Sequence, residues 1–384
     1  MPDPKRPARS HPGRVDLAGA ASCAALLGLV SGCASAPPEP TFREIVSRHG
    51  VDASHVVDLL APSPAMRAAA ATLPVNGTPH EKLLALQAYL FAGEDAGGGS
   101  TRPFRFQYDA RGTYDASAAF EKMSGNCVAF TSLFISMGRL MGVPVYPAIV
   151  RREKRSDREG SLIVVSSHVV AILSEGNRLR TYDFSADREG PLGLVRLLDD
   201  AELAAVALSN RAIGDLQADD AAAAARGLDI AARLAPSYPT LLGNLGVVKL
   251  RLGDAPGATA LFDQALRLAP RDPALLYNRA MLELRDGRRA AALLILRRAD
   301  ESSAPAYLMT MRGDLELAQG DVDGALKSFG RAHRQAPDEV EPLVGLARAE
   351  GLKGRRAEAR RHLEHALLLA PDDSAARGLL AAEP

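Results

Sequence analysis

The period of the hydrophobic pattern changes along the chain and divides it before any motif is considered. Over residues 41–100 apolar positions recur at helical spacing, loosely across 42–60 and as a cleaner stripe across 81–91. Gly97-Gly98-Gly99-Ser100 marks a loop. Residues 104–108 read as a short strand and 116–123 as a helix. Ser124-Gly125-Asn126 breaks that helix, and Cys127 opens a long apolar helix that ends near Met141-Gly142. Beyond Pro144 the pattern turns to strands. One covers 145–150, and a long Val- and Ile-rich one covers 161–173. A turn at Ser174-Glu175-Gly176-Asn177 leads to a returning strand over 178–184. The charged run 151–159 fits a solvated hairpin tip between two of these strands. Helical spacing resumes near Leu198 and continues to the end.

Small residues repeat in register through that second half. Ala224, Ala258, Ala292, Ala325 and Ala359 recur at intervals of 34, 34, 33 and 34. Ala231, Ala265, Ala299, Ala332 and Ala366 keep the same register, with Leu228, Phe262, Leu296, Phe329 and Leu363 between. Pro236, Pro270, Pro337 and Pro371 close four units, and Ala304 stands in the third. Gly246 and Gly313 precede their alanines by twelve residues, where two helices must approach closely. A period of this size belongs to stacked helix pairs. The landmarks resemble tetratricopeptide repeats from about 201 to 373, with Leu208, Leu242, Leu276, Met309 and Leu343 where that family often has Trp. The resemblance implies an all-α solenoid of about five units with a concave face, capped by a helix over 374–381.

One first-helix position carries Asn in three successive units: Asn210, Asn244 and Asn278. Two readings stand. Asn fits the repeat consensus there, or the three form a ladder on the concave face. An Asn amide offers a donor and an acceptor, which matches an extended peptide backbone. On the second reading the repeats capture a protein or peptide and bring it to the upstream half.

The start of the chain has a different logic. Lys5, Arg6, Arg9 and Arg14 precede an apolar stretch over 17–30, too short for a stable membrane span. Val30-Ser31-Gly32-Cys33 follows, then Ala34-Ser35-Ala36-Pro37-Pro38. The order resembles a bacterial lipobox. It implies a signal peptide over 1–32, lipid on Cys33, a tether over 33–40 and a membrane partner through the lipid. Ala34 rather than Asp after the lipidated Cys points to the outer membrane facing the periplasm. Lys+Arg and Asp+Glu are both 46, so the chain lacks the basic field of a nucleic-acid binder, and no nucleic-acid partner is expected.

With Cys23 removed and Cys33 lipidated, Cys127 is the mature chain's free thiol. Its place at a helix start exposes it to first-turn N–H groups and the helix dipole, which favour a thiolate. A thiol nucleophile needs a base, and the base needs an orienting partner. Of the histidines, His333, His362 and His365 fall in the repeats and His49, His55 and His80 in the lead-in, while His168 alone sits in a strand. A hairpin turn centred between Glu175 and Gly176 sets His168 directly opposite Asp183, with Cβ atoms ~5 Å apart. His362 and His365 lie at i, i+3 without a further ligand in view, so no metal is expected, and no phosphate-binding loop or other cofactor signature is present.

Ser124-Gly125-Asn126-Cys127-Val128-Ala129, Gly142-Val143-Pro144, His168 and Tyr182-Asp183-Phe184 together resemble the transglutaminase-like superfamily. The resemblance covers about 105–190. It implies an α+β papain-like core over 41–197, followed by the all-α repeats over 198–384. It makes Cys127 the nucleophile, His168 the general base and acid, and Asp183 the orienting group. Val170 departs from the aromatic residue often found two after the His, and the chain has no Trp to help an oxyanion. Tyr108 and Tyr114 are the oxyanion candidates, and packing is the simpler role for either. The expected activity is thiol-dependent acyl chemistry on an amide, with peptidase-like hydrolysis ahead. The alternatives are transamidation by the same triad, or a non-catalytic repeat scaffold.

Overall fold

The computed structural model describes residues 40–91, 107–109, 114–150, 156–159, 162–176, 178–184, 195–300 and 303–382. The leader, Cys33, the glycine loop at 97–100 and residues 151–155 of the charged run lie outside them. The lead-in is helical: α1 (Phe42–Arg48), α2 (Pro64–Ala70) and α3 (Pro79–Phe91). Thr41 and Glu44 close α1 with a capping box, each satisfying a backbone N–H that the helix cannot. Strand β1 (Gln107–Tyr108) runs parallel to β2 (Ser124–Gly125), with α4 (Ala116–Lys122) between them in sequence.

Helix α5 (Cys127–Leu140) is the centre of the upstream half. Its N-cap is Asn126, whose side chain accepts from the Ala129 N–H at 3.1 Å. Residues 128–138 are all buried, and a helix apolar on every side has to be enclosed. The lead-in helices cover one side. On the other lies a four-stranded antiparallel sheet ordered β7-β6-β3-β8. Its strands are β3 (Val145–Val150), β6 (His168–Glu175), β7 (Arg178–Tyr182) and β8 (Val195–Leu197). Val145, Val169, Ala171, Leu173 and Tyr182 share a core with Leu133, Phe134 and Met137 of α5.

Two expectations about the strands are corrected. The long strand over 161–173 is broken at Ser166-Ser167. Its first half is β5 (Leu162–Val165), which pairs with β4 (Ser156–Glu159) in a separate two-stranded sheet, while its second half is β6. Part of the charged run is thus strand, with Ser156 opposite Val165 and Glu159 opposite Leu162. The hairpin turn is also one residue later than expected. Glu175 pairs with Arg178, which moves the turn past Gly176. A tight two-residue loop favours positive φ at its first position, and Gly176 takes φ +60° there without a Cβ penalty. The shift also lets Arg180 bond Glu175 at 2.8 Å.

The second half stacks helix pairs. They are α6 (Asp200–Gln217) with α7 (Ala221–Leu234), α8 (Pro239–Arg251) with α9 (Ala255–Leu268), and α10 (Pro273–Arg285) with α11 (Arg289–Leu296). Next come α12 (Ala306–Ala318) with α13 (Val322–Gln335), α14 (Val340–Leu352) with α15 (Arg356–Leu369), and the terminal α16 (Ser374–Ala381). Each pair turns through one left-handed residue. It is Gly253, Gly287, Gly320 and Gly354 in the later pairs and Asp219, at φ +63°, in the first. A Cβ on Gly246 would lie 2.7 Å from the Phe262 ring, and one on Gly313 would lie 2.7 Å from Phe329. These are the close approaches the spacing predicts.

The two halves share a core. Leu203, Val206, Leu234 and Leu241 of the first helices belong to the same apolar cluster as α5 and the sheet. Residues Thr41–Pro384 accordingly group as one compact unit. No described helix is long and apolar enough to cross a membrane.

Candidate thiol site and the asparagine ladder behind it

The site begins where α5 begins. Capping by Asn126, itself buried, fixes the first turn and leaves Cys127 half-buried at its head. One turn on, the Thr131 hydroxyl donates to the Val169 carbonyl at 3.1 Å, which ties α5 to β6 beside His168. Asp183 is held on the other side. Its neighbours Tyr182 and Phe184 both pack on Phe134, at ring separations of 5.0 and 4.9 Å. The Tyr182 hydroxyl meets His80 Nδ1 at 2.8 Å, and burial raises its pKa from 10.0 to about 12.

His168 Nε2 lies 2.8 Å from Asp183 Oδ1, with the two side chains 15% and 17% exposed. Continuing the observed register sets Asp183 opposite Val170, so it is diagonal to His168 rather than directly across, as the expected turn had placed it. A slip of two residues keeps both side chains on one face, and diagonal neighbours remain within reach of long side chains. The bond therefore survives the corrected turn.

The Cys127 thiol is the other group that acts on the imidazole. Burial alone would push the His168 imidazolium down. Hydrogen bonds to Asp183 and Cys127, reinforced by their charges, outweigh it and raise the pKa from 6.5 to about 9. With Nε2 committed to Asp183, Nδ1 is the ring nitrogen left to exchange a proton with sulfur. The structure thus brings Cys127, His168 and Asp183 together. Tyr114 is partly buried and packs against the core. The Tyr108 backbone pairs with Gly125, two residues before the thiol, while its side chain lies outside the described residues.

The Asn ladder is real, but its ligand is this chain. Asn278 Oδ1 accepts from the Ile163 N–H at 2.8 Å, and its Nδ2 donates to the Ile163 carbonyl at 2.7 Å. Asn244 holds Val165 in the same way at 3.1 and 3.0 Å, and Asn210 holds Ser167 at 3.1 and 2.9 Å. Residues of an extended strand that point the same way recur every ~6.6–6.8 Å, and each repeat contributes one Asn per such step. The backbone groups of Leu162 and Val164, at the alternate positions, are left for the β4 pairing, while their side chains pack against the core of the repeats. The ladder residues expected to bind a partner are therefore committed to residues 163–167. Sequence reasoning could not supply this occupant, because these bonds join residues 43 to 115 apart in sequence. It also missed Tyr238, whose hydroxyl meets the Ser167 hydroxyl at 2.6 Å.

Elsewhere, His365 is joined by His333 of α13, with ring centroids 5.6 Å apart, and burial lowers the pKa of His333 and of His362. Among the described residues no group of three or more His, Cys, Asp or Glu side chains is arranged to hold a metal ion.

One tetratricopeptide-repeat family model matches residues 209–273 and 245–307, and a second matches 316–383. The second half of the chain is an array of tetratricopeptide repeats. All the matched segments lie within it. No curated protein matches the chain. Several solved structures do. One, YrrB, is described as a TPR protein with an unusual peptide-binding site. It is 22% identical, over 45% of this chain and 90% of that one, at a TM-score of 0.37. MamA from Desulfovibrio magneticus RS-1 is 21% identical over 44% and 97%, at 0.37. Pseudomonas aeruginosa pilF is 16% identical over 48% and 90%, at 0.43. The repeat array supports a protein or peptide as the class of partner, since stacked repeats present extended binding surfaces.

Proposed function

We propose that the chain is a thiol-dependent acyl enzyme acting on amide bonds, with Cys127 as nucleophile, His168 as proton carrier and Asp183 as the group that orients His168. The observation that carries this is the joint placement of the three: a thiol at a helix start, an imidazole whose protonated form that thiol favours, and a carboxylate 2.8 Å from that ring. Proton transfer from Sγ to His168 gives the thiolate. The thiolate attacks the carbonyl carbon, the C–S bond forms, and the C–N bond breaks as His168 protonates the departing amine. Water then attacks the thioester, His168 takes its proton, and a carboxylic acid and the thiol are released. The Cys127 backbone N–H, at the head of α5, is one donor available to the developing oxyanion. An α5 packed on an antiparallel sheet, with the His at the start of one strand and the Asp just past the end of its neighbour, supports a transglutaminase-like, papain-like core. An amine in place of water would give transamidation from the same thioester. The small-small-Cys order before Cys33 supports a lipid-anchored protein of the bacterial envelope, at the outer membrane facing the periplasm.

A second reading, a non-catalytic scaffold, is favoured by the family matches, which fall in the repeats. The test between them is a mechanism-based trap. A periplasmic extract is incubated with the full chain and the acyl group on Cys127 is sought by mass spectrometry, with Cys127→Ala as control. A thioester on Cys127 that needs His168 supports the enzyme. A thiol that neither acylates nor reacts faster than free cysteine with iodoacetamide leaves the scaffold.

A further inference from the structure

The strand gripped by the ladder ends at the catalytic histidine. Residues 163, 165 and 167 run from the third repeat to the first, and His168 is the next residue. Every bond is to backbone, so the ladder fixes where the strand lies without reading its side chains. Ser167 is held on three sides: Asn210 takes its N–H and carbonyl, and the Tyr238 hydroxyl meets its side chain. Asn244 is itself steadied by a bond to Ser209 at 3.0 Å. On the far side of His168, the Val169 carbonyl is fixed by Thr131 of the nucleophile's own helix. The residue that must meet Cys127 is thus clamped between the repeat array before it and α5 after it. The β6–β7 ladder stops at Ala171–Tyr182 and the β3–β6 ladder at Val150–His168, so neither sheet neighbour reaches Ser167, which the repeats hold instead.

We propose that the first three repeats are part of the catalytic unit, and that Asn210, Asn244 and Asn278 are positioning residues that hold residues 163–167 so that His168 stands at Cys127. The proposal rests on the thiol–imidazole reading above and adds to it a task for the repeats. It accounts for Asn at this position in the first three units and not in the fourth or fifth, where Met311 and Gly345 occupy the corresponding stretch of the first helix and, among the described residues, no strand is bonded to it.

The test uses the alkylation rate of Cys127 by iodoacetamide in the full chain, which needs no substrate. Asn210→Ala should slow alkylation at neutral pH by about tenfold, since misplacing a reacting group by ~1 Å costs up to two orders of magnitude. Asn244→Ala and Asn278→Ala should do so progressively less, following distance from His168. Tyr238→Phe, which removes only a hydroxyl, should give a smaller loss in the same direction, and serves if the Asn variants fold poorly. The decisive arm is the His168→Ala background. A residue acting through His168 has nothing left to act on there, so Asn210→Ala should add no further loss. The same fold-loss in both backgrounds, or effects ranked by lost stability rather than by distance from His168, would overturn the proposal. Wild-type kinetics in Asn210→Ala and Tyr238→Phe would overturn it as well, while leaving the thiol chemistry intact. Equal alkylation of wild type and His168→Ala would instead refute the thiol–imidazole pair, and the ladder's task with it.

Discussion

Asp183→Asn keeps the shape of the orienting side chain and removes its charge. In the folded chain His168 is raised from 6.5 to about 9. That difference is roughly 3 kcal/mol of preference for imidazolium over imidazole. The site is enclosed enough for this to count, with the His168 side chain 15% exposed. A raised pKa stabilises the fold when the group is protonated. The contribution is therefore fully present below pH 6.5 and is lost as pH rises through about 9. Asp183 supplies the first of the raising interactions and Cys127 the second. Charge-assisted hydrogen bonds are about twice as strong as neutral ones, so the neutral Asn should forfeit about half of the preference, ~1.5 kcal/mol. The His168 ring proton, followed by NMR against pH, should titrate ~1 unit lower in Asp183→Asn than in wild type. Urea unfolding at intervals from pH 6.5 to 9.5 should show wild type losing its advantage over the variant across that window. Comparing the two at each pH cancels the other groups that titrate there. If His168 titrates alike in both, or if the difference in stability is flat with pH, the ion-paired triad is wrong.

Three further outcomes are expected. Asn126→Ala removes the α5 cap, so urea denaturation should show a loss of about 1 kcal/mol, and Cys127 should alkylate more slowly as its helix turn frays. Gly246→Ala gains ~1 kcal/mol of helix propensity but drives a methyl into the fully buried Phe262 ring, a clash of ~1–3 kcal/mol, so the melting temperature should fall rather than rise. Cys33→Ala should block processing, so a membrane fraction carrying the mature wild-type form should lack it, and the variant's mass should retain residues 1–32; wild type that keeps those residues would refute lipidation.

The repeats were legible in the sequence because their determinants are local and periodic. A helix pair closes only if a small residue faces a large one, and Gly246 against Phe262 returns two periods later as Gly313 against Phe329. The helix start at Cys127 was legible for the same kind of reason, since an Asn cap before an apolar run is a local signal. His168 and Asp183 were found from turn symmetry, which fixed their shared face even though the turn sits one residue later. Face is a matter of parity, and the slip left parity unchanged. Tertiary structure decided the rest. A run of Val and Ile over 161–173 looks like one strand from its composition. It divides at Ser166-Ser167 because its two halves find different partners: β4 and the Asn ladder for the first, β3 and β7 for the second. The Asn amides left two readings open, repeat consensus or a grip on an extended backbone. Which backbone depended on a chain reversal that brings Ile163 to Asn278, and no local pattern encodes a contact of that span.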